Sequence, residues 1–402
     1  MSDFVNIIQK YRKESFSEKA KGTQFERLIK AFLLTSPKYA HLFSDVWLWE
    51  EFPARNDFGG KDVGIDIVCR TNDSDFWAVQ CKCYKETVRI AKPDVDTFLS
   101  TSSRTFIDAD TQNAVQFSYR LWIDTTVKGF NPEAENTIHN QIIPVGRINL
   151  YDLENSGVDW NLLENGSVGK EAQTKKYLLK EHQSAALQSV HTYFQTHDRG
   201  KLIMACGTGK TFTSLKIAEN ETMHSGLVLF LVPSIALLGQ TLNEWSAQSL
   251  KPIHPLCICS DTHVSKNNKA NDASGVSSID LALPASTNIK NITRQYKRAI
   301  KNQKKNGGMV VVFSTYQSID VISSVQEKLN EQESHSCIFD LIICDEAHRT
   351  TGVTLKDKEE SHFVKVHKNV NIEAKKRLYM TATPRLYGEN SIKKAQEKEA
   401  EL

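Results

Sequence analysis

The sequence has no long apolar run, no marked excess of one charge and no two cysteines separated by two intervening residues, and each absence excludes a class of protein. No continuous apolar segment is long enough to cross a membrane, and residues 1–30 contain no apolar export signal. The eight cysteines never show the two-residue spacing that is typical of zinc sites. We therefore expect a cytoplasmic protein with reduced core cysteines, no membrane span and no structural zinc.

The charge balance leaves nucleic-acid binding open. The 402 residues carry a formal net charge of +2, with 24% charged and 40% hydrophobic residues. This is the composition of ordinary globular domains, and the chain is long enough for two or three cores. A protein with a balanced total charge can still have a basic groove beside acidic faces. Only the distribution of charge over the surface can therefore indicate whether the protein binds nucleic acid.

A polar, glycine-containing stretch divides the chain. We predict a first domain at residues 1–165, a linker at residues 166–176 and a second domain at residues 177–402. The first domain has the pattern of an α/β fold, with a last strand at residues 147–151. In the second domain strands alternate with helices, which predicts a parallel, doubly wound sheet.

A phosphate-binding loop follows a strand-like segment in the second domain. The run MACGTGKT occupies residues 204–211, and Met204 stands where the usual pattern has Gly or Ala. Its glycines allow backbone N–H groups to face a β-phosphate, Lys210 offers a charge to the β- and γ-phosphates, and Thr211 offers a hydroxyl to Mg²⁺. The predicted nucleotide-binding residues of this loop are Gly207, Thr208, Gly209, Lys210 and Thr211.

An acidic pair follows a second apolar strand. Asp345 and Glu346 come directly after residues 339–344, at the expected carboxyl edge of the parallel sheet. Asp345 would hold Mg²⁺, and Glu346 would orient the attacking water. Alone, the pair could be a solvated strand end. Together with Lys210 and Thr211 it predicts hydrolysis of a nucleoside triphosphate.

A second set of polar residues lies on neighbouring strands of the first domain. Gln80 and Lys82 project from one face of a predicted strand, because side chains alternate along it. We expect Asp66 and the backbone carbonyl of Cys81 to hold a divalent metal. Lys82 would then orient or deprotonate water beside a phosphodiester. A plain surface pair of Asp and Lys is the alternative interpretation.

This pattern resembles the PD-(D/E)xK nuclease fold, and within it the Mrr-like group, in which Gln commonly replaces the acid before x-Lys. Residues 22–26 look like that family's glutamate motif at the start of a helix, although the proline of the family name is missing because Ile65 precedes the aspartate. Asp57 and Asp62 are alternatives for a second ion. The catalytic residues that the resemblance implies are Asp66, Gln80, Lys82 and the helper or outer metal ligand Glu26.

From residue 177 onward the sequence resembles the first RecA-like domain of superfamily 2 DEAH-box helicases and translocases, in the branch that drives type I restriction enzymes. The resemblance implies that Gln183 reads adenine, which favours ATP over GTP. The implied contacts to the DNA backbone are Pro233, Ser234, Ser314 and Thr315, and the implied coupling residues are Thr381 and Thr383. A helix cap or turn explains Ser314 and Thr315 taken singly, but their order along the chain favours the motif.

A basic, helix-like segment lies at residues 294–305. Its lysines and arginines could follow the phosphates of a nucleic acid. A solvated helix face explains the same pattern, and the sequence alone favours that interpretation.

A Mrr-like nuclease followed by this helicase branch resembles the single-polypeptide type I, or type ISP-like, restriction–modification enzymes. The resemblance implies Mg²⁺-dependent hydrolysis of double-stranded DNA, coupled to an ATP-dependent motor. In that family a second RecA-like domain completes the ATP site, and methyltransferase and target-recognition domains come later. We therefore expect a truncated chain that binds ATP but hydrolyses it weakly.

Three alternatives remain open. A defence or repair nuclease-helicase without methylation would be recognised from the continuation of the reading frame. A nucleotide-switched DNA-binding module with an inactive nuclease would show no Mg²⁺-dependent nicking that depends on Asp66 or Lys82. An RNA-directed helicase would prefer duplex RNA, since the motor motifs contact only the backbone.

Overall fold

The computed structural model describes residues 2–60, 64–139, 141–260, 277–332, 337–349 and 362–383. These residues form two six-stranded sheets, one from each predicted domain, with helices packed against them. The α/β class predicted for both domains is confirmed. Among the described helices, none combines the length and the apolar character that a bilayer span requires.

The first sheet has the strand order β1-β2-β3-β5-β4, with β6 paired to β5. Its strands are β1 (Phe43–Leu48), β2 (Ile67–Thr71), β3 (Phe76–Lys82), β4 (Thr105–Ile107), β5 (Ala114–Asp124) and β6 (Val145–Ile148). The helices are α1 (Asp3–Glu14), α2 (Glu18–Thr35), α3 (Lys92–Thr101), α4 (Pro132–Ile138), α5 (Leu150–Glu154) and α6 (Trp160–Glu164). Strands β1, β2 and β3 are antiparallel, whereas β3, β5 and β6 are parallel. Because Ile67 lies opposite Val79, the start of β2 and the end of β3 meet at one edge.

Two local predictions in this domain are wrong, and helix caps explain both. Helix α2 begins at Glu18 rather than near residue 22, because Ser17 Oγ accepts the N–H of Ala20 at 3.1 Å. The strand predicted at residues 147–151 ends at Ile148, since Asn149 Oδ1 accepts the N–H of Asp152 at 3.1 Å and starts α5.

The second sheet is parallel throughout and has the order β7-β12-β11-β8-β10-β9, as predicted for a doubly wound fold. Its strands are β7 (Arg199–Ile203), β8 (Leu227–Val232), β9 (Ile253–Ile258), β10 (Met309–Thr315), β11 (Phe339–Cys344) and β12 (Ala374–Thr381). The helices are α7 (Glu181–Tyr193), α8 (Lys210–Glu221), α9 (Ile235–Gln248), α10 (Ile289–Asn306), α11 (Ile319–Gln332) and α12 (His362–Lys365).

Strand β8 separates two cores. Val228 and Phe230 belong to a cluster with residues of α8 and α9, whereas Leu229 and Leu231 join residues of α10 and α11 on the other face. All six residues of β8 are buried, which explains the uninterrupted apolar run. Because the strands are parallel, the loops at their carboxyl ends gather at one edge of the sheet.

The two domains share a packed interface. Lys38 Nζ donates to the carbonyl of Leu281 at 2.8 Å, and Tyr39 Oη donates to that of Ala282 at 3.1 Å. The predicted linker is bound on both sides. Its Gly169 N–H donates to Thr35 Oγ1 at 2.9 Å, and Lys176 donates to a carbonyl of α9 at 2.6 Å.

All eight cysteines carry free thiols, but their burial differs. Seven are buried, as predicted for core cysteines. The prediction is wrong for Cys206, which is exposed because it lies in the phosphate-binding loop, where the chain leaves the sheet.

Candidate nuclease and nucleotide sites

Asp66 lies one residue before β2, at the sheet edge where β3 ends. Its Oδ2 accepts hydrogen bonds from the backbone N–H of Cys81 at 2.6 Å and from the side-chain amide of Gln80. Gln80 is only 1% exposed, so its amide acts on the carboxylate from within the fold. Hydrogen bonds to a charged acceptor are strong, and two of them fix the orientation of this carboxylate.

The pKa of the Cys81 thiol depends on the charged side chains around this edge of the sheet. Burial raises the pKa of the thiol well above its ordinary value, and the carboxylates of Asp66 and Glu26 raise it further, whereas Lys82 lowers it. Such effects are large only at short range. Glu26, Asp66 and Lys82 therefore all lie near the Cys81 thiol, and among the described residues none forms a hydrogen bond or ion pair with the Lys82 ammonium.

The backbone of β3 presents a carbonyl to Asp66. The carbonyl of Val79 accepts the Asp66 N–H at 2.9 Å, and alternate residues of a strand direct their polar groups to the same side. The carbonyl of Cys81 therefore points to the same side of β3 as the carbonyl of Val79. Among the described residues, no three His, Cys, Asp or Glu side chains are arranged to hold a metal ion. A divalent cation at this edge would need that carbonyl and water as oxygen ligands, which hard cations accept.

Two neighbours of the site have other tasks. Gly64 has a φ of 80°, and a Cβ there would lie 3.1 Å from the side chain of Thr97, so only glycine fits. Asp57, considered for a second ion, turns its Oδ2 to the N–H of Ile107 at 2.8 Å and does not join the cluster. Asp62, the other alternative, lies outside the described residues.

The phosphate-binding loop connects β7 to α8. Its Met204 N–H donates to the carbonyl of Thr381 at 3.1 Å, which attaches the loop to the end of β12. Gly209 precedes the first residue of α8 with a φ of 80°, and a Cβ there would collide with the amide of Gln183. The loop thus needs glycine at this position, and it ends on a helix N-terminus, which favours anions.

Lys210 faces the acidic pair across the cleft. Its ammonium lies 3.1 Å from Glu346 Oε1 and 3.5 Å from Asp345 Oδ1. Asp345 Oδ1 is buried and accepts no hydrogen bond. Burial raises the pKa of the Asp345 carboxyl, and the nearby Lys210 opposes that effect. A buried carboxylate oxygen without a hydrogen bond is costly, and a metal ion or its water would satisfy it, so Asp345 and the adjacent Thr211 fit Mg²⁺.

A polar chain continues from Glu346 to β12. His348 Nδ1 lies 3.2 Å from Glu346 Oε2 and 3.2 Å from Thr381 Oγ1, and Thr381 Oγ1 accepts the Thr383 N–H at 3.2 Å. Glu346 has a φ of 50°, a left-handed conformation that is unfavourable for this residue type and occurs at functional sites. His348 thus lies between Glu346 and Thr381, and Thr383 is bound to Thr381. The coupling role of both threonines stays a prediction.

Two site residues were missed by reasoning from the sequence. His348 was visible as the last residue of the Asp-Glu-Ala-His run, but no role was derived for it. Tyr316 Oη donates to the backbone carbonyl of Asp345 at 2.8 Å and is fully buried. Its partner lies 29 residues away, so no local pattern could have indicated this contact.

Gln183 contacts the phosphate-binding loop in this structure. Its Nε2 donates to the carbonyl of Thr208 at 3.0 Å, and its Oε1 accepts the N–H of Lys180 at 2.9 Å. His182 Nε2 lies 3.0 Å from the same carbonyl of Thr208. The amide of Gln183 is 4% exposed, and the role of this residue in reading adenine stays a prediction.

The four residues predicted to contact DNA lie after β8 and at the end of β10. Pro233 is buried, and Ser234 caps α9 by accepting a backbone N–H at 3.4 Å. Ser314 is fully buried and donates to the last carbonyl of β9 at 2.6 Å, while Thr315 Oγ1 lies 3.5 Å from Ser318 Oγ. A phosphate contact through Ser314 would require its hydrogen bond to break. The DNA contacts of all four residues stay predictions.

Two family models match the chain in succession. One, described as "Restriction endonuclease", matches residues 34–170. The other, described as "Type III restriction enzyme, res subunit", matches residues 176–386, which is more than half of the chain. The boundary between the two matches lies within the predicted linker region.

Similar proteins agree with this order of domains. The chain is similar to the "ATP-dependent Type ISP restriction-modification enzyme LlaBIII bound to DNA", with a TM-score of 0.71 and 33% identity over 92% of this chain and 22% of that chain. It is also 29% and 30% identical to "Probable helicase A859L" of the African swine fever virus isolates Pig/Kenya/KEN-50/1950 and Tick/Malawi/Lil 20-1/1983. These two matches extend over 205 residues, 51% of this chain and 19% of each relative.

The chain thus spans only about a fifth of the length of these relatives. Its own residues nevertheless include both a restriction-endonuclease domain and a helicase-type ATPase domain. The chain belongs to the family of the type III restriction enzyme res subunit, and its two domains are similar in order and fold to the matching part of a type ISP restriction–modification enzyme.

Proposed function

We propose that this chain is the nuclease and motor part of a restriction enzyme that hydrolyses double-stranded DNA with Mg²⁺ and is powered by ATP. The main support is the oriented carboxylate of Asp66 beside Lys82, at the edge of a restriction-endonuclease sheet. The phosphate-binding loop with Lys210 facing an acidic pair supports the ATP-dependent motor. The DNA-bound state of the similar LlaBIII supports DNA as the substrate.

At the nuclease site, Asp66 and the carbonyl of Cys81 would hold Mg²⁺. When bound, the ion would polarise the scissile phosphate as a Lewis acid. Lys82 orients or deprotonates water, and its charge offsets the negative charge that develops on the phosphodiester. Gln80 positions Asp66, and Glu26 adds a helper carboxylate on the side of α2.

At the nucleotide site, Lys210 binds the β- and γ-phosphates, and Thr211 and Asp345 would hold Mg²⁺. Glu346 orients the attacking water. Because the Lys210 ammonium lies 3.1 Å from Glu346, an incoming phosphate competes with this carboxylate for the same cation. When Glu346 is released from Lys210, its contact with His348 would change, and His348 would pass this change on to Thr381 and its neighbour Thr383. This chain of contacts provides a route that couples nucleotide binding to the end of β12.

Further domains would complete this machine. We propose the divisions 1–165, 166–176 and 177–402, and partners that include a second RecA-like domain and, following the type ISP pattern, methyltransferase and target-recognition domains. The much longer chain of LlaBIII supports such additions. Free thiols at all eight cysteines support a cytoplasmic location.

A nicking assay tests the nuclease. Supercoiled plasmid DNA is incubated with Mg²⁺, with and without ATP, and with wild type, Lys82→Ala or Lys13→Ala. Lys13 is an exposed lysine of α1 and serves as the matched control. We expect nicking by wild type and Lys13→Ala, and a loss of about 100-fold or more in Lys82→Ala, because its charge acts on the reacting phosphate.

Three results would contradict the proposal. Equal nicking by Lys82→Ala and wild type would remove Lys82 from the active site. Binding of DNA without nicking by the wild type would favour the module with an inactive nuclease, and cleavage of duplex RNA in place of DNA would change the substrate.

A further inference from the structure

Helix α10 concentrates positive charge. Its 18 residues include seven lysines and arginines and no aspartate or glutamate. The whole chain has a net charge of only +2, so this helix is a strong local excess. The opposite face of α10 is ordinary, because Ile292 and Ala299 pack into the core of the second domain.

Four of these cations form one stripe. Lys290, Arg294, Lys297 and Lys301 follow each other at intervals of four, three and four residues, which places them on one helix face. All four are exposed. At 1.5 Å per residue the stripe is about 17 Å long.

A role in stability alone does not account for the stripe. Like charges four residues apart, such as Lys290 and Arg294, destabilise a helix. Lys290 lies in the first turn, where the helix dipole disfavours a cation. Lys290, Arg294 and Lys301 form no ion pair with any residue that the structure describes, so their repulsion is not compensated there.

The stripe borders a groove whose other wall is the nuclease domain. The turn between β2 and β3, residues 72–75, meets α10 through an ion pair of Asp75 with Arg298 and a 3.3 Å hydrogen bond from Asn302 to Asp73. The groove is lined by residues 72–74 of that turn, by five of the seven cations of α10 and by Lys328 of α11. Its lining contains one carboxylate and no large apolar side chain.

The orientation of α10 connects two regions of the molecule. Ser286, just before the helix, bonds to Cys257 near the end of β9, whereas Gly307, just after it, bonds to His254 near the start of β9. The helix therefore begins at the carboxyl edge of the sheet, where the predicted motor contacts lie, and runs back past the nuclease turn. That turn is at the far end of β3 from Lys82, about 20 Å away for a strand of seven residues.

We propose that the basic stripe of α10 binds the phosphodiester backbone of duplex DNA outside the motor cleft, in the groove between the motor and the nuclease. This inference rests on the proposed function. Phosphates repeat about every 3.4 Å along a strand, so a row of cations of this length can contact several of them. A protein partner would need apolar anchors, which the groove lining lacks.

The test removes three charges and keeps an unbranched polar side chain at each position. The triple variant Lys290→Gln, Arg294→Gln, Lys301→Gln is compared with wild type and with the control Lys13→Gln, Lys170→Gln, Lys251→Gln, whose lysines are exposed elsewhere. Binding to a duplex of about 30 base pairs, long enough to span a site of this size, is measured over a range of salt concentrations, together with thermal unfolding and plasmid nicking.

We expect the stripe variant to bind about 10- to 100-fold more weakly at ~0.1 M salt, with a slope of log K against log salt that is shallower by about 2 to 3. The control should keep both values, and the stripe variant should unfold at an unchanged or higher temperature because repulsion is relieved.

Three results would overturn the inference. The first is a stripe variant whose DNA affinity and salt slope match those of wild type. The second is a control variant whose DNA affinity falls as much as that of the stripe variant. The third is a wild type that binds polyglutamate more tightly than DNA, with this binding lost in the stripe variant. In each case Lys82-dependent nicking would still support the proposed function, whereas a wild type that neither binds nor nicks DNA would overturn both.

Discussion

The two candidate sites differ in how their carboxylates are satisfied before a ligand binds. At the nuclease site, Asp66 accepts the Cys81 N–H at 2.6 Å and the amide of Gln80. At the nucleotide site, Asp345 Oδ1 is buried without a hydrogen bond, and the Lys210 ammonium stays 3.5 Å away. Backbone and a buried side chain orient the first carboxylate, whereas a long flexible side chain neutralises the second.

This difference follows from the position of each acid in its sheet. Asp66 lies beside an antiparallel partner, whose unpaired edge groups are available to it. Asp345 leaves a central parallel strand at the carboxyl edge, where the groups nearest to its carboxylate are the backbone of Glu346 and the Lys210 ammonium. Groups of a neighbouring strand thus orient Asp66, whereas Asp345 Oδ1 keeps no hydrogen bond.

After the loss of nicking expected for Lys82→Ala, the largest effect is expected from Lys210→Ala. The variant removes the cation that faces both acids and the phosphates, so we expect nucleotide affinity to fall about 10- to 100-fold, the worth of a hydrogen bond to a charged group. Titration with a fluorescent ATP analogue and Mg²⁺ measures it, with Lys251→Ala as the control. Nicking that occurs without ATP should persist. Unchanged nucleotide affinity would show that Lys210 does not contact the phosphates.

A smaller effect is expected from Gln80→Ala. The Cys81 N–H would still hold Asp66, so we expect nicking to slow by about 10-fold and half-maximal nicking to need more Mg²⁺, as for outer partners of metal ligands. Titration of the nicking rate with Mg²⁺ measures both, with the exposed Gln195→Ala as the control. A slower rate at an unchanged Mg²⁺ requirement would indicate a structural role and would contradict positioning of Asp66.

The smallest effect concerns the backbone of the nucleotide site. Glu346→Gly and Glu346→Gln both remove the charge next to Lys210, but only glycine relieves the φ of 50°. We expect the glycine variant to be more stable than the glutamine variant by about 1 kcal/mol, or about 2 to 4 °C in the midpoint of thermal unfolding. If the glutamine variant is equally stable, the left-handed conformation of Glu346 carries no cost.

Much of both sites could be predicted because the informative patterns are local. The run from Met204 to Thr211 indicates a turn between strand and helix, and the alternation at Gln80 and Lys82 indicates one face of a strand. Long-range contacts have no such local sequence pattern. Asp124, paired in register with Lys82, is buried and held by Arg147 at 2.8 Å, and no local pattern indicates that pair.

Helix α10 shows the same limit. Its composition was visible in the sequence, and a solvated face was the favoured interpretation. The groove appears only when the turn at residues 72–75 is brought against the helix, and these segments are more than 200 residues apart in the chain. The periodicity of a sequence cannot predict a contact between segments this far apart.

The sequence by itself determined the two α/β domains, the phosphate-binding loop, the acidic pair and the Asp66 to Lys82 pattern, because hydrophobic period and turn chemistry act between neighbours in the chain. The tertiary structure alone decided that Gln80 holds Asp66, that His348 connects Glu346 to Thr381, and that the hydroxyl of Ser314 is buried. The physical reason is that hydrogen bonds and burial depend on which distant strands become neighbours, and strand order is fixed only when the whole sheet packs.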